Sequence, residues 1–243
     1  MIPLVYDQVN TFGKDDAFFL SLLKEVNRKN LADLGCGTGR LTIHFAEAGF
    51  NITAIDPNRE AIELAKTKQT SNQVEWIIGD SRDLKTNTHD VVIMTANVAQ
   101  VFLTDVDWEQ VTSDVFRSLK EGGYFIFDTR NPRDEVWKRW MEDKTPDVAT
   151  HPQTGEGLEI WTEYGGMDDK QIFTFYESVK NIKSGEVIQR EKLQLRFRSL
   201  QEVKVSLEKS GFSDVKCYGD WVLKEASEES SSFIFYGMKY RPF

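Results

Sequence analysis

Asp33-Leu34-Gly35-Cys36-Gly37-Thr38-Gly39-Arg40 is the segment whose residue types and spacing can do chemistry. It joins a short apolar run, Leu31 to Leu34, to a helix-patterned stretch. Its alternating glycines let the backbone take positive φ and let a ligand approach the main chain closely. A helix start beyond such a turn offers unpaired N–H groups and a positive dipole end to an anionic group. Asp56 ends the next apolar run, where a carboxylate can accept both hydroxyls of a ribose. Gly79-Asp80-Ser81 follows the third run. A rim carboxylate there can accept from the exocyclic amine of a purine, with Ile78 and Val98 against the ring faces. The glycine spacing separates two cofactor classes. A dinucleotide fingerprint needs G-x-G-x-x-G, its last glycine seating helix on strand. Here the glycines fall at 35, 37 and 39, and position 40 is Arg40. An aminoacyl group suits Asp33 better than a pyrophosphate does, because the acid can hold an ammonium directly or through water.

The elements that must position these residues are legible in the hydrophobic period. Phe18, Phe19, Leu22, Leu23 and Val26 predict a helix from about Asp15 to Asn27. Leu31–Leu34 reads as a strand; Leu41, Phe45 and Ala48 form a helix face that ends near Gly49. Ile52–Ile55, Val74–Ile78 and Val91–Met94 read as further strands, with a helix from about Arg59 to Lys68 between the first two. Asp107 with Gln110 predicts a helix start, and Trp108, Val111, Val115 and Leu119 give its buried face. Gly122-Gly123 is expected to stop that helix before a fifth strand, Tyr124–Phe127. Repeated strand–helix–strand order implies a parallel sheet with right-handed crossovers and helices on both faces.

The pattern changes after Asp128. Asn131 to Pro152 shows no clean strand, while Glu159–Tyr164, Gln171–Lys180 and Glu186–Arg198 read as antiparallel strands, with a hairpin turn at Lys183-Ser184-Gly185. Ser199 and Glu202 have capping-box spacing at the start of a helix carrying Leu200, Val203 and Leu207, and Gly211 is its natural C′ residue. Val215–Val222 and Ser232–Tyr240 close the chain as two strands, expected as an antiparallel edge hairpin. The expected organisation is a binding domain of residues 1–130 and 199–243, interrupted by an antiparallel β insertion at 131–198.

Composition bounds the partners. The chain has 243 residues and a net charge of −9 at pH 7, which argues against a surface built to grip nucleic acid. The longest apolar stretch, near position 91, is far shorter than the roughly 20 residues of a spanning helix. The first residues show no secretory pattern, and Cys36 and Cys217 have no disulfide or metal-ligand spacing. Two reduced thiols in a cytoplasmic protein is the expectation, with no metal and no membrane contact.

Taken together, DLGCGTG, the acidic Asp56, Gly79-Asp80, and Gly122-Gly123 before Tyr124-Phe125-Ile126-Phe127 resemble the class I S-adenosylmethionine-dependent methyltransferases, in order and at family-like spacing over Leu31 to Asp128. The resemblance implies a Rossmann-like α/β fold with a seven-stranded sheet of order 3-2-1-4-5-7-6, its last strand antiparallel, and S-adenosyl-L-methionine as cofactor. It carries Gly35, Cys36, Gly37 and Gly39, with Asp33 and Arg40 beside them, onto the methionine part. It carries Asp56 and Pro57 onto the ribose, Asp80 and Ser81 onto adenine, and Asn97 to the end of the fourth strand. Tyr6-Asp7 resembles an N-terminal pair in small-molecule members, where the tyrosine closes over the cofactor.

What is methylated is less legible. Methyl transfer from a sulfonium is an in-line displacement, in which the protein positions the partners and excludes water. The place after the fourth strand reads Thr95-Ala96-Asn97-Val98, without the Asn/Asp-Pro-Pro-aromatic run of exocyclic-amine DNA enzymes or the Pro-Cys of cytosine C5 enzymes. An insertion after the fifth strand can cover the carboxyl edge of the sheet as a lid, as in family members that act on amines and amino sugars. Trp161, Tyr164, Phe173, Phe175 and Tyr176 would supply its apolar wall, and Trp137/Trp140 would pack insertion on core. The expected partner is a small-molecule acceptor with an N or O nucleophile, acted on by a monomer or homodimer. No base is readable; His151 and Tyr164 are the catalytic candidates, while His44 and His89 read as surface or packing residues. The alternatives are a nucleic-acid or protein methyltransferase, a non-catalytic cofactor-binding subunit, and a nicotinamide oxidoreductase, which the glycine spacing disfavours.

Overall fold

A computed structural model describes residues 2–26 and 28–240. Its main sheet contains β1 (Asn30–Leu34), β2 (Asn51–Asp56), β3 (Val74–Ile78), β4 (His89–Met94), β5 (Leu119–Arg130), β10 (Phe212–Gly219) and β11 (Ser232–Lys239). Their order is β10-β11-β5-β4-β1-β2-β3, and β11 runs antiparallel to both of its neighbours. Counting only the strands of this sheet, that is 3-2-1-4-5-7-6, the expected order.

Strand alternation divides the core into two layers. Ala32, Val92, Phe125, Phe127 and Phe235 face one side, against α5 (Asp105–Ser118) and α7 (Leu200–Lys209) through Trp108, Val115, Val203 and Leu207. Leu31, Ile93, Ile126 and Ile234 face the other, against α2 (Lys14–Val26) and α3 (Arg40–Glu47) through Phe19, Leu23, Leu41 and Phe45. The sheet is therefore buried on both faces, which is why its strands read as continuous apolar runs. A fifth main-sheet helix, α4 (Arg59–Lys66), starts at Asn58, whose side chain accepts from the Ala61 N–H.

Four local readings are corrected. Helix α5 starts at Thr104, not at Asp107, because the Thr104 hydroxyl accepts from the Asp107 N–H at 3.1 Å and fills the cap one turn earlier. It ends at Ser118, before Gly122-Gly123; those glycines lie inside β5, where Gly122 takes φ +72°. Asn131 to Pro152 holds α6 (Val136–Glu142) and β6 (Asp147–Thr150), both too short to establish a period in the sequence. The final hairpin starts earlier than expected, at Phe212, and Trp221 and Val222 belong to the turn after β10. A short helix that was not foreseen, α1 (Pro3–Val9), begins the described chain. The expected helix over Asp15–Asn27 is α2, with Asn27 outside the described residues.

A second, antiparallel sheet has order β6-β7-β8-β9, with β7 (Gly157–Met167), β8 (Ile172–Asn181) and β9 (Val187–Arg196). The Ser199/Glu202 capping box forms as read, and Gly211 takes φ +100° after α7. The second sheet has two small cores of its own. Leu158, Ile160 and Val179 bury Ile2 and Val5 of the N-terminal segment. Trp137, Phe173 and Phe197 gather Trp140 and Tyr164 around them. Among the described residues, no helix is long and apolar enough to cross a membrane.

Candidate functional site

The glycine turn sits at the carboxyl end of β1. Gly35, Gly37 and Gly39 take φ of +79°, +54° and +71°, the left-handed region that glycine occupies without Cβ strain. A Cβ on Gly35 would come within 2.6 Å of Val98, and one on Gly39 within 2.5 Å of Trp76. The turn is thus shaped by close approach as well as by dihedral. Gly39 also opens α3, whose start carries no side-chain cap.

Behind the turn, Asp33 is 2 % exposed. Its Oδ2 accepts from the Thr42 hydroxyl at 2.6 Å, while its Oδ1 has no partner. Burial pushes its carboxyl up to about 6, partly offset by the Thr42 hydrogen bond. A buried acceptor oxygen without a donor is costly, and an ammonium at the turn would relieve it. Asp56 ends β2 and accepts the N–H of Gly37 on Oδ2 and of Asn58 on Oδ1, both at 2.8 Å. It thereby ties the glycine turn to the next crossover, and each oxygen keeps a lone pair for a hydroxyl donor. Pro57 lies between Asp56 and the cap of α4. Oδ1 of Asp33, the capless start of α3 and the two Asp56 oxygens fit an aminoacyl nucleoside in chemistry.

Other expected residues have other partners. Arg40 turns to α2 and forms a two-pronged pair with Asp16, at 2.5 and 2.8 Å. Asp80 caps the short turn over Ser81–Asp83 and pairs with Arg82, which holds its carboxyl below the usual range. Ser81 is buried and donates to Asp114 at 2.8 Å. Cys36 has its thiol pushed well up by burial and by Asp33 and Asp56, which makes it a packing residue rather than a nucleophile. His151 accepts the N–H groups of Gln153 and Thr154 on Nδ1 at 3.2 and 3.4 Å, closing the β6–β7 turn. Tyr164 packs on Phe173, with Lys144 over its ring. His44 is on the surface beside Glu47; His89 is buried against Ser118 and pushed down to about 4 by desolvation.

The N-terminal pair does reach the turn. Asp7 accepts from the Thr38 hydroxyl at 2.5 Å and pairs with Lys68 of the region after α4. Tyr6 lies within electrostatic reach of Arg40, Asp16 and Asp128, and burial raises its phenol. One residue further on, the Gln8 amide exchanges two 2.9 Å hydrogen bonds with the Thr150 backbone on the second sheet.

Sequence reading named Asn97 but missed the polar cluster it joins at the ends of β4 and β5. Ala96 and Asn97 have positive φ, and the Asn97 N–H donates to both oxygens of Asp128 at 3.1 Å. Asp128 is 1 % exposed, and burial pushes it up to about 7. Arg130 donates to Gln100 Oε1 at 2.8 Å and lies 4.9 Å from the centre of the Trp140 ring. Gln100 is fully buried, with Nε2 unpartnered; Asn97 Oδ1 is unpartnered too. The available signal was Asp128-Thr129-Arg130, charges directly after the apolar run Tyr124–Phe127.

Comparison with known proteins agrees with this architecture. Residues 31–123 match a family model described as a methyltransferase domain. YqeM of Bacillus subtilis (strain 168), itself only provisionally named a methyltransferase, is 25% identical over 97% of this chain and 94% of its own. A cypemycin N-terminal methyltransferase from a Streptomyces species is 32% identical over 52% of this chain and 54% of its own. Among solved structures, an S-adenosylmethionine-dependent methyltransferase from Clostridium acetobutylicum superposes with TM-score 0.74 at 20% identity, covering 96% of this chain and 93% of that one. The sugar N-methyltransferase KedS8 from Streptoalloteichus gives 0.73 at 13% identity, covering 99% and 95%. SAM-bound CalS10, an amino pentose methyltransferase from Micromonospora echinaspora, gives 0.69 at 14% identity, covering 97% and 96%. At these identities the structures speak for the fold, and the family model speaks for the domain. Residues 31–123 are thus similar to a methyltransferase domain, and the chain as a whole has the Rossmann-like fold of the methyltransferases.

Proposed function

We propose that the chain transfers the methyl group of S-adenosylmethionine to an N or O nucleophile of a small molecule by in-line displacement. The observation that carries this reading is a set of contacts at the carboxyl end of the main sheet. Three contacts tie α1 and the insertion to the loops there. Asp7 holds the glycine turn through Thr38, the 98–101 turn after β4 packs on β9, and Trp140 lies on Arg130 at the end of β5. A lid held by these contacts would exclude water and limit the acceptor to what fits beneath it. The acidic chain also lacks the charge excess that phosphate contacts require.

In this reading Gly35, Cys36, Gly37 and Gly39 line the methionine part, with Asp33 toward its ammonium. Asp56 takes the ribose hydroxyls, with Pro57 beside it. Asn97 and Tyr6 flank the sulfonium end. Asp80 reaches adenine only by sharing its carboxylate with Arg82, and Ser81 supports from behind through Asp114. Arg40 acts at one remove, by fixing α2 against the turn through Asp16. Methyl transfer from labelled S-adenosylmethionine into fractionated host extract, with Asp56→Ala as control, tests the proposal. Label in the small-metabolite fraction is the expected result. Label confined to protein or nucleic acid overturns the substrate class.

A further inference from the structure

Two opposite charges stand side by side on one face of β5 without pairing. Asp128 and Arg130 are two residues apart in a strand, so both project to the face carrying Ile126, the side of α2 and α3. They attract each other electrostatically, but neither makes a direct contact ion pair with any described residue. The Asp128 carboxylate is held by one backbone N–H, that of Asn97. Arg130 is half-buried; it donates to one neutral amide oxygen and rests on one aromatic face, which leaves N–H groups of its guanidinium free for a ligand. Beside them, the fully buried Gln100 keeps Nε2 without an acceptor. Buried charges are ordinarily paired, and orphaned amide donors are rare. The unpartnered Gln100 Nε2 and Asn97 Oδ1 thus lie beside the half-buried Arg130 and the buried Asp128.

We propose that Asp128 and Arg130 form the acceptor subsite for an amine that carries an anionic group, with Arg130 and Gln100 Nε2 receiving the anion and Asp128 the ammonium. This rests on the small-molecule reading above and narrows it to one chemical class, amines bearing a carboxylate or another oxyanion. The planar guanidinium suits an oxyanion with two acceptor oxygens. The step balances with these groups alone. The bound ammonium gives one proton to the Asp128 carboxylate. The freed nitrogen lone pair forms a bond to the methyl carbon, and the carbon–sulfur bond breaks with its electron pair going to sulfur. The products are an N-methylammonium and a neutral thioether, and Asp128 returns its proton to solvent when the product leaves. Trp140 borders the anion, so the second sheet would take part in selection through its aromatic core.

The test uses the whole chain, labelled S-adenosylmethionine and small-molecule extract, with products sorted by ion exchange in acid and in base. The expected label lies in amphoteric compounds, retained as cations in acid and as anions in base. Arg130→Gln is expected to lower that yield about tenfold or more, with cofactor affinity unchanged within about twofold by calorimetry. Arg130→Lys is expected to restore part of the yield. Label in neutral or purely cationic small molecules overturns this subsite while leaving the small-molecule reading intact. Label only in macromolecules overturns both. A large loss of cofactor affinity in Arg130→Gln also overturns the proposal, by assigning Arg130 to the cofactor. The product chemistry of the unmodified chain decides the question even if a variant fails to fold.

Discussion

Asp56 takes two backbone N–H groups, and a ribose would add two hydroxyls to the same carboxylate. Asp56→Ala is expected to weaken cofactor binding by roughly 1.5–3 kcal/mol, the scale of hydrogen bonds to a charged group. Titration calorimetry measures this, and an unchanged affinity removes Asp56 from the site. Asp33 supplies a pH prediction. Its carboxyl is raised in the folded chain to about 6, from an ordinary value of 3.8. The folded state therefore binds more protons than the unfolded state between those values, and ligand-free stability falls as pH rises through that window. Asp128, raised to about 7, acts in the same direction. Asp33→Asn is expected to raise the ligand-free melting temperature at pH 8, by an amount equivalent to at most about 3 kcal/mol, with the gain fading toward pH 4. Thermal melts at the two pH values check the sign; a variant no more stable at pH 8 refutes it. Gly35→Ala meets both φ +79° and the Val98 side chain. It is expected to destabilise the fold by about 1–3 kcal/mol, read as a lower denaturation midpoint.

Among the elements, α1 is unusual in having no large core of its own. It is held by Ile2 and Val5 on the second sheet, by Gln8 on Thr150, and by Asp7 on Thr38 and Lys68. Seven residues make too short a helix to persist alone in water, so tertiary contacts must hold it. Asp7→Ala cuts the ties to the glycine turn while leaving those to the second sheet. It is expected to speed cofactor dissociation several-fold with little change in melting temperature; stopped-flow displacement of the bound cofactor measures the rate. Helix α7 shows the opposite case, an element set by local sequence. Ser199 accepts from the Glu202 N–H, and Glu202 accepts from the Ser199 N–H at 2.7 Å. Ser199→Ala is expected to cost about 1 kcal/mol, seen as a melting temperature lower by about 2–4 °C for a chain of this size.

At the scale of the whole molecule, α1 links the second sheet to the glycine turn, and the lid with its boundaries 131 and 198 is a proposal that deletion can test. Removing residues 157–198 takes away Leu158, Ile160 and Val179, the floor beneath Ile2 and Val5. Acceptor turnover is expected to be lost and α1 amides to exchange fast, while the main sheet still melts cooperatively; unchanged turnover sinks the lid idea. The sequence by itself determined the parallel sheet, its order through the family resemblance, and the glycine turn with Asp33 and Asp56. Those features rest on local causes: apolar runs buried on both faces, glycines at positive φ, and carboxylates at strand ends. It also determined the Ser199 cap, because a capping box closes within four residues. It misplaced the start of α5, where Thr104 competed with Asp107 for the same cap. It missed α1, α6 and β6, which are too short to carry a period and are fixed by surfaces distant in the chain. Tertiary structure decided that Arg40 faces Asp16. It also gathered Asn97, Gln100, Asp128 and Arg130 at the ends of β4 and β5. Their proximity comes from parallel pairing of strands far apart in sequence, and their missing partners become visible only once burial has removed water from around them.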